Sequence, residues 1–349
     1  MAERPLAERY VELRRSLPQL RARDAAQRLG ATEAALVGSG VTGPATPLRP
    51  DWAALIVACR SLGPVMALTR NEHAVHERHG RFEEISSGPG HILVLGPDID
   101  LRLFPGGWAH AFAVGGPRPS LQIFDKAGEA AHKIFALEGR TDLRAWDALV
   151  ASFAAPALPP PPERATPRAA PEAEGAVDAA ALRTDWLALR DTHDFVKLLR
   201  QHRASRRQAL ALAGDDLSRP LDPAAAGRAT LTLAAEQQVP IMVFVGNRSA
   251  IQIHTGLIRR LLPSSGGWFN VLDPDFNLHL REAGVASAWR VVKPTEDGAV
   301  TSIELLDAAG GVLAQLFGAR KPGQKEREDW RAIAAEVAER HAATAEAAA

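Results

Sequence analysis

One histidine of the sequence stands where the surrounding pattern favours an apolar residue. Leu182, Trp186 and Leu189 recur at helical spacing, and His193 is the next position of that stripe. Thr192 could cap a helix beginning at His193, which would leave the imidazole at a helix start beside an open cavity. The alternative is a core histidine whose ring is satisfied by a backbone carbonyl.

A strand-like segment, residues 100–104, pairs a cation with an aromatic ring. Leu101 and Leu103 share one face of such a strand, and Arg102 and Phe104 share the other. A guanidinium beside an aromatic ring suits an anionic, flat, apolar ligand. The alternative is a solvated outer face of the sheet.

Two further segments carry polar or basic groups that could contact a ligand. Gln315 and Phe317 share a face of a predicted strand, and Arg320 follows just beyond it, although a solvated strand edge with a basic end has the same pattern. The basic run at residues 200–207 is typical of a solvated helix end, but it could also meet carboxylates.

Residues 70–80 are dense in histidine, with imidazoles at His73, His76 and His79. Such spacing could bind a metal, because imidazole is the commonest metal ligand in proteins. No HExxH motif occurs, and Gly80 predicts a turn. The segment therefore leaves open a structural zinc site or a further contact to a ligand bound elsewhere.

The elements that position these residues belong to an internal repeat. Three segments of the first half match three of the second in register, namely 65–80 with 241–256, 95–104 with 272–280, and 120–135 with 302–317. A helical stripe with Leu6, Tyr10, Leu13 and Leu17 precedes them and recurs 176 positions later in the stripe that ends at His193.

Positions at which the two copies differ identify candidate functional residues, because the scaffold role is shared and the chemistry need not be. Leu17 of the first copy corresponds to His193 of the second. Two further differences are Arg102 against His279 and Lys133 against Gln315.

Each half begins with helical patterns and continues as short strands separated by tight turns. The strand-like runs of the first half are 92–95, 99–104, 111–114, 121–124 and 131–135. We predict an internally duplicated α+β fold with two large, stacked antiparallel β-sheets and flanking helices in each half. The expected organisation is a first repeat at 1–155, a Pro/Ala-rich linker at 156–178, and a second repeat at 179–349 that carries the ligand site.

Composition excludes several classes of function. Lys+Arg and Asp+Glu are balanced at 41 each, so no overall charge favours nucleic acid or an anionic membrane. Cys59 is the only cysteine, which excludes an internal disulfide, an iron–sulfur cluster and covalent CxxCH haem attachment. Dinucleotide, P-loop and hydrolase motifs are absent. With no signal-peptide-like start and no apolar run of membrane-spanning length, we expect a cytoplasmic protein without membrane insertion.

Several motifs of the sequence, taken in order, are RNEHAVHERHG, LGPDIDLRLF, SLQIFDKAGEAAHKIF, DTHDF and LFGARKPG. In their text and in their order they closely resemble the bacterial haemin-degrading and haemin-trafficking family, of the HemS/ChuS/HmuS type. The resemblance covers nearly the whole chain apart from the proline-rich linker and the alanine-rich tail. It implies a duplicated fold that binds one haem b between helices of the second half and the sheet.

The resemblance also implies a role for particular residues. His193 would be the proximal iron ligand, with His73 as an alternative, and Arg102 would be a distal, catalytic arginine. The remaining implied haem contacts are Phe104, Arg206, Lys293, Gln315, Phe317 and Arg320, of which Arg206 and Lys293 would pair with the propionates. Family members often have a tyrosine where this chain has Phe317 and a second aromatic where it has Val196, so the hydroxyl and the ring that those residues supply to the ligand are absent here.

Two functions follow from the resemblance. The first is an enzyme that opens the porphyrin oxidatively and releases iron, with electrons supplied from outside by NAD(P)H or a small reductant such as ascorbate. The second is a carrier that delivers intact haem to a separate haem oxygenase. The implied partners are a haem importer, a reductase or that oxygenase.

Overall fold

The computed structural model describes residues 4–164, 175–263, 266–321 and 323–343 of the 349-residue chain. The described residues form two compact units. The first takes in residues 4–70, 77–164 and 247–252, and the second takes in 71–76, 175–246, 253–263, 266–321 and 323–343. A short segment of each repeat therefore belongs to the unit built mainly by the other.

The described residues contain ten α-helices and eighteen β-strands. The helices are α1 (Leu6–Ser16), α2 (Ala22–Arg28), α3 (Glu33–Gly38), α4 (Trp52–Ala58), α5 (Leu143–Phe153), α6 (Ala179–Leu187), α7 (Asp194–Gln201), α8 (Arg206–Leu212), α9 (Ala226–Glu236) and α10 (Glu328–Arg340). The strands of the first repeat are β1 (Ala45–Pro47), β2 (Val65–Arg70), β3 (Ala74–Gly80), β4 (Glu84–Gly88), β5 (His91–Leu95), β6 (Asp100–Leu103), β7 (Trp108–Val114), β8 (Ser120–Asp125) and β9 (Ala130–Ala136). Those of the second repeat are β10 (Ser218–Leu221), β11 (Ile241–Gly246), β12 (Ala250–Gly256), β13 (Leu261–Pro263), β14 (Trp268–Leu272), β15 (Phe276–Arg281), β16 (Ser287–Lys293), β17 (Val300–Leu306) and β18 (Val312–Gly318).

The strands form two nine-stranded sheets within the described residues. Their orders are β1-β7-β8-β9-β2-β3-β15-β14-β13 and β10-β16-β17-β18-β11-β12-β6-β5-β4. Replacing each strand of the first order by its counterpart in the other repeat gives the second order. The predicted duplicated α+β fold with large antiparallel sheets is therefore confirmed, and so are the five strand-like runs of the first half, each of which overlaps a strand between β5 and β9.

Equivalent turns in the two repeats show the duplication at atomic detail. Asp125 accepts hydrogen bonds from the backbone N–H groups of residues 127 and 129, and Asp307 accepts them from residues 309 and 311. Each turn contains a glycine with a positive φ, Gly128 at 80° and Gly310 at 76°. This left-handed conformation strongly favours glycine, which explains why both copies have one there.

The second helical stripe is shorter than the sequence predicted. Leu182 and Trp186 are fully buried in α6, as expected, but the helix ends at Leu187. Leu189 and His193 therefore lie beyond it, and their assignment to one continuous stripe was wrong. In the turn after α6 the Asp191 carboxylate accepts the backbone N–H of His193, a hydrogen bond typical of the start of a new helix and not of a continuing one.

The proline-rich segment lies only partly within the described residues. Helix α5 ends at Phe153 and α6 begins at Ala179, which brackets the predicted linker at 156–178. Residues 165–174 of that linker lie outside the described residues. In the described part of the chain, no helix combines the length and apolar character needed to cross a membrane.

Candidate functional site

His193 lies at the start of α7, and its side chain is 91% exposed. The histidine is itself the N-cap of α7, which begins at Asp194, so the prediction that Thr192 caps a helix beginning at His193 was wrong by one residue. The Asp191 carboxylate accepts the backbone N–H of His193 at 2.8 Å, in the position of a side chain that caps a helix start. The exposure contradicts the alternative of a core histidine.

The His193 ring is oriented by the same aspartate. Nδ1 of His193 lies 2.6 Å from Oδ1 of Asp191, and the backbone hydrogen bond from His193, followed by the ring, lowers the pKa of Asp191. An ionised carboxylate favours the tautomer with hydrogen on Nδ1. The lone pair then lies on Nε2, which is the atom available to a metal. Histidine ligands in proteins are commonly held by a carboxylate in this way.

The core beneath α7 contains an aromatic ring that two cations cover. Phe195, which is buried, packs edge-on against Trp186 with the ring centroids 4.6 Å apart. The Nζ atom of Lys293 lies 4.6 Å from the centroid of the Phe195 ring, and Cζ of Arg206 lies 5.0 Å from it. Lys293 and Arg206, both predicted from the sequence as ligand contacts, therefore lie against one ring in the same unit as His193.

Both cations are bound to a carboxylate that sequence reasoning missed. Nζ of Lys293 lies 2.5 Å from Oε1 of Glu304, and Nη1 of Arg206 lies 2.6 Å from Oε2. Ser302 Oγ donates a third hydrogen bond to Oε1 at 3.1 Å. Burial alone would raise the pKa of Glu304, but Lys293 and Arg206 together lower it to about 2. Burial also lowers the pKa of Lys293, and Glu304 opposes that effect.

Local sequence accounts for the position of Arg206. Ser205 and Gln208 form a reciprocal capping box, which fixes the start of α8 and makes Arg206 its first residue. Lys293 is the last residue of β16, and its side chain is 4% exposed. Glu304 points inward from the middle of β17 and is fully buried. Its signal in the sequence was the Gln122-to-Glu304 difference between aligned repeats, the same kind of difference that identified His193.

Gln315 is the register partner of Glu304 on the adjacent strand β18. Gln315 and Phe317 are both half-buried between buried neighbours, as the predicted shared face requires. The Phe317 ring packs against Phe244 with centroids 5.1 Å apart. Arg320 follows β18, and its guanidinium donates to the carbonyl of residue 324 and lies 3.8 Å from a carboxylate oxygen of Asp297.

Arg102 and Phe104 belong to the first unit. Leu101 and Leu103 are fully buried on β6, whereas Arg102 is half-buried, so the predicted alternation is confirmed. The Arg102 guanidinium is bound to the carboxylate of Asp100. Burial raises the pKa of Asp100, and Arg102 opposes that shift.

His73, the alternative iron ligand, is half-buried just before β3. Its ring packs closely against the backbone at Gly284, and its carbonyl accepts the backbone N–H of Arg281 at 2.7 Å. His76 on β3 is fully buried and packs against Phe276 with centroids 5.0 Å apart. Within the residues described, no group of three or more histidine, cysteine or acidic side chains could hold a metal ion, so the structure offers no zinc site at residues 70–80.

Comparisons with known proteins identify the fold. A model of the "Haemin-degrading HemS.ChuX domain" matches residues 30–153 and 203–337. The hemin transport protein HmuS of Yersinia pestis is 42% identical over 333 residues, which cover 93% of this chain and 95% of that protein.

Two solved structures are similar over nearly their full length. Holo-PhuS, a heme-binding protein from Pseudomonas aeruginosa, is 50% identical, with a TM-score of 0.88 over 94% of this chain and 97% of that one. ChuS, described as an E. coli heme oxygenase, is 36% identical, with a TM-score of 0.85 over 95% and 99%. The chain belongs to the haemin-degrading HemS/ChuX family.

Proposed function

We propose that this protein binds haem through His193 and opens the porphyrin oxidatively to release iron. The observation that carries the proposal is the exposed His193 ring, whose Nδ1 is held by Asp191 so that Nε2 is free for iron. Haem binding is a property of PhuS, and oxygenase activity is a property of ChuS, to which this chain is similar over more than nine-tenths of its length.

The surroundings of His193 suit an amphipathic, planar ligand. Leu187, just before the His193 turn, is 50% exposed, and Val196, just after it, is 46% exposed. Both residues are close to His193 in the chain and would supply apolar contacts to the porphyrin. The cations Arg206 and Lys293, in the same unit, would bind the propionate carboxylates of haem. Haem needs these three features together, namely an imidazole, apolar walls and cations.

In the enzymatic function, haem is both the ligand and the substrate. Cys59 is buried and burial raises the pKa of its thiol to about 12, so we assign this thiol no redox role. The electrons for ring opening would come from an external donor such as NAD(P)H, delivered by a reductase, or ascorbate. Arg102, on β6, would act as the distal cation that stabilises negative charge on bound oxygen. The same proposal includes a cytoplasmic location, because such electron donors occur in the cytoplasm.

The exposure of His193 also favours a second function, that of a haem carrier. A ligand held by an exposed histidine can be reached by an acceptor protein without unfolding the donor. The name of the relative HmuS, a hemin transport protein, is consistent with this function. The haem would come from an importer and pass intact to a separate haem oxygenase.

Single-turnover reactions separate the two functions. The haem-loaded protein is treated with ascorbate, or with NADPH and a reductase, in the presence of catalase to remove free hydrogen peroxide. Loss of the Soret band with an open tetrapyrrole and one equivalent of released iron supports the enzyme. Intact haem that moves quantitatively to an apo-haem oxygenase, without an open-chain product, supports the carrier.

A further inference from the structure

Arg206, Lys293 and Glu304 form a buried cluster with an uneven charge balance. The Glu304 side chain is 0% exposed, and the Lys293 and Arg206 side chains are 4% and 17% exposed. Among the described residues, Glu304 is the only carboxylate that pairs with either cation. Two positive charges therefore share one negative charge, which leaves one positive charge uncompensated.

The equivalent place in the first repeat contains a carboxylate paired with one ammonium group. Glu33 is the first residue of α3, after its cap Thr32, just as Arg206 is the first residue of α8 after Ser205. Glu33 Oε1 lies 2.5 Å from Nζ of Lys133. That pair carries no net charge and involves β9, the counterpart of β18.

The register of the strands confirms the equivalence. In the first repeat Gln122 on β8 is opposite Lys133 on β9, and in the second Glu304 on β17 is opposite Gln315 on β18. The neutral amide and the charged residue have thus exchanged strands between the repeats. Lys293 is the additional cation of the second repeat, because the aligned position on the first is occupied by Gly116.

We propose that Glu304 determines the carboxylate specificity of the second repeat. It neutralises one of the two cations and leaves a single positive charge to be matched by a single ligand carboxylate. The inference rests on the proposed function only in that the ligand carries carboxylates, as the propionates of haem do.

The donors that remain support this assignment. Lys293 uses one ammonium hydrogen on Glu304, and Arg206 uses Nη1, so each keeps further N–H groups for a second acceptor. A buried charge without a partner is unfavourable, so the cluster gains from an added anion. Without Glu304 the cluster would carry two positive charges, and with one ligand carboxylate added to Glu304 its charges would balance.

The test compares two ligands that differ only in charge at the propionates, haemin and haemin dimethyl ester. Their dissociation constants are measured by absorption titration in one detergent-containing buffer. The ratio of the ester's constant to that of haemin measures the preference for carboxylates. Because both ligands meet the same variant, changes in iron ligation or in general packing affect the two constants alike.

The variants change the charge of the cluster in steps. Wild type has a net charge of +1, Arg206→Gln gives 0, Glu304→Gln gives +2, and the double variant, with only Lys293 charged, returns to +1. We expect the ratio to fall roughly tenfold or more in Arg206→Gln, to rise in Glu304→Gln, and to return near wild type in the double variant. Asp216→Asn, which removes an exposed carboxylate paired with Arg183, should leave the ratio unchanged.

A ratio that stays constant along this series overturns the inference. So does a double variant that behaves like Arg206→Gln, because the cation would then act without regard to Glu304. If Glu304→Gln does not fold by circular dichroism, Arg206→Gln and the double variant still decide between the two outcomes. Wild-type protein that binds neither ligand contradicts the proposed function instead, so the two failures are distinguishable.

Discussion

Oδ1 of Asp191 accepts hydrogen bonds from both the backbone N–H and the ring Nδ1 of His193, at 2.8 and 2.6 Å. The Asp191 carboxylate thus binds the backbone at the start of α7 and also orients the imidazole. Two of the predictions below follow from this arrangement.

We predict that His193→Ala removes the main axial ligand of bound haem. The Soret band should shift and the affinity should fall by at least tenfold, because the exposed imidazole that Asp191 orients is removed. The measurement is an absorption titration with haemin beside wild type and His73→Ala. An unchanged spectrum in His193→Ala together with an altered one in His73→Ala would assign the iron to His73.

Asp191→Asn should preserve the histidine but weaken its electron donation to iron. The amide cannot accept the Nδ1 proton as strongly as a carboxylate does, and loss of such a partner typically costs about 10–100-fold in affinity or activity. Resonance Raman spectroscopy of the ferrous protein should show a lower iron–histidine stretching frequency. Asp194→Asn, the next carboxylate along the chain, is the control, and equal shifts in both variants would contradict a specific role for Asp191.

Arg102→Ala should keep haem bound but slow any oxidative turnover. A charged donor contributes about 1.5–3 kcal/mol to a charged partner, which corresponds to a rate lower by about 10- to 150-fold. The rate of Soret loss under ascorbate with catalase measures the effect. Because Asp100 binds the guanidinium in this structure, Asp100→Asn should release Arg102 and increase the rate, and wild-type rates in both variants would exclude a distal role.

The Glu304 cluster predicts how stability depends on pH. The pKa of Glu304 is lowered to about 2 from its usual 4.5, so the unfolded chain binds the proton more readily between these values. The contribution of ionised Glu304 to the free energy of unfolding is therefore fully present above about pH 4.5 and is lost as the pH falls towards 2. The free energy of unfolding in urea should fall more between pH 6 and pH 3.5 in wild type than in Glu304→Gln. Equal falls in the two proteins would contradict a lowered pKa for Glu304.

Titration of the intact protein should give one tight equivalent of haemin. The first repeat has Leu17 where the second has His193, and its Glu33–Lys133 pair carries no net charge for a propionate. One equivalent that is lost in His193→Ala and kept in a His73→Ala, His79→Ala double variant is the expected result. His76 stays unsubstituted because it is fully buried, and two tight equivalents in wild type would show a second site.

The sequence by itself determined the duplication, the antiparallel strands and the residues at which the copies differ. Those features are local or repeated, since strand alternation at Leu101 and Leu103 and the turn glycines Gly128 and Gly310 depend on neighbours close in the chain. The DTHDF resemblance predicted His193 as the iron ligand, and that role stays a prediction.

The tertiary structure decided what those residues contact. Lys293 and Arg206 come from a strand and a helix 87 positions apart, and only folding places both against Glu304 and Phe195. Sequence spacing cannot reveal such a cluster, because its charge balance depends on which buried carboxylate lies within a few ångströms. The same limit applied at His193, where Asp191, and not Thr192, accepts the backbone N–H at the start of α7.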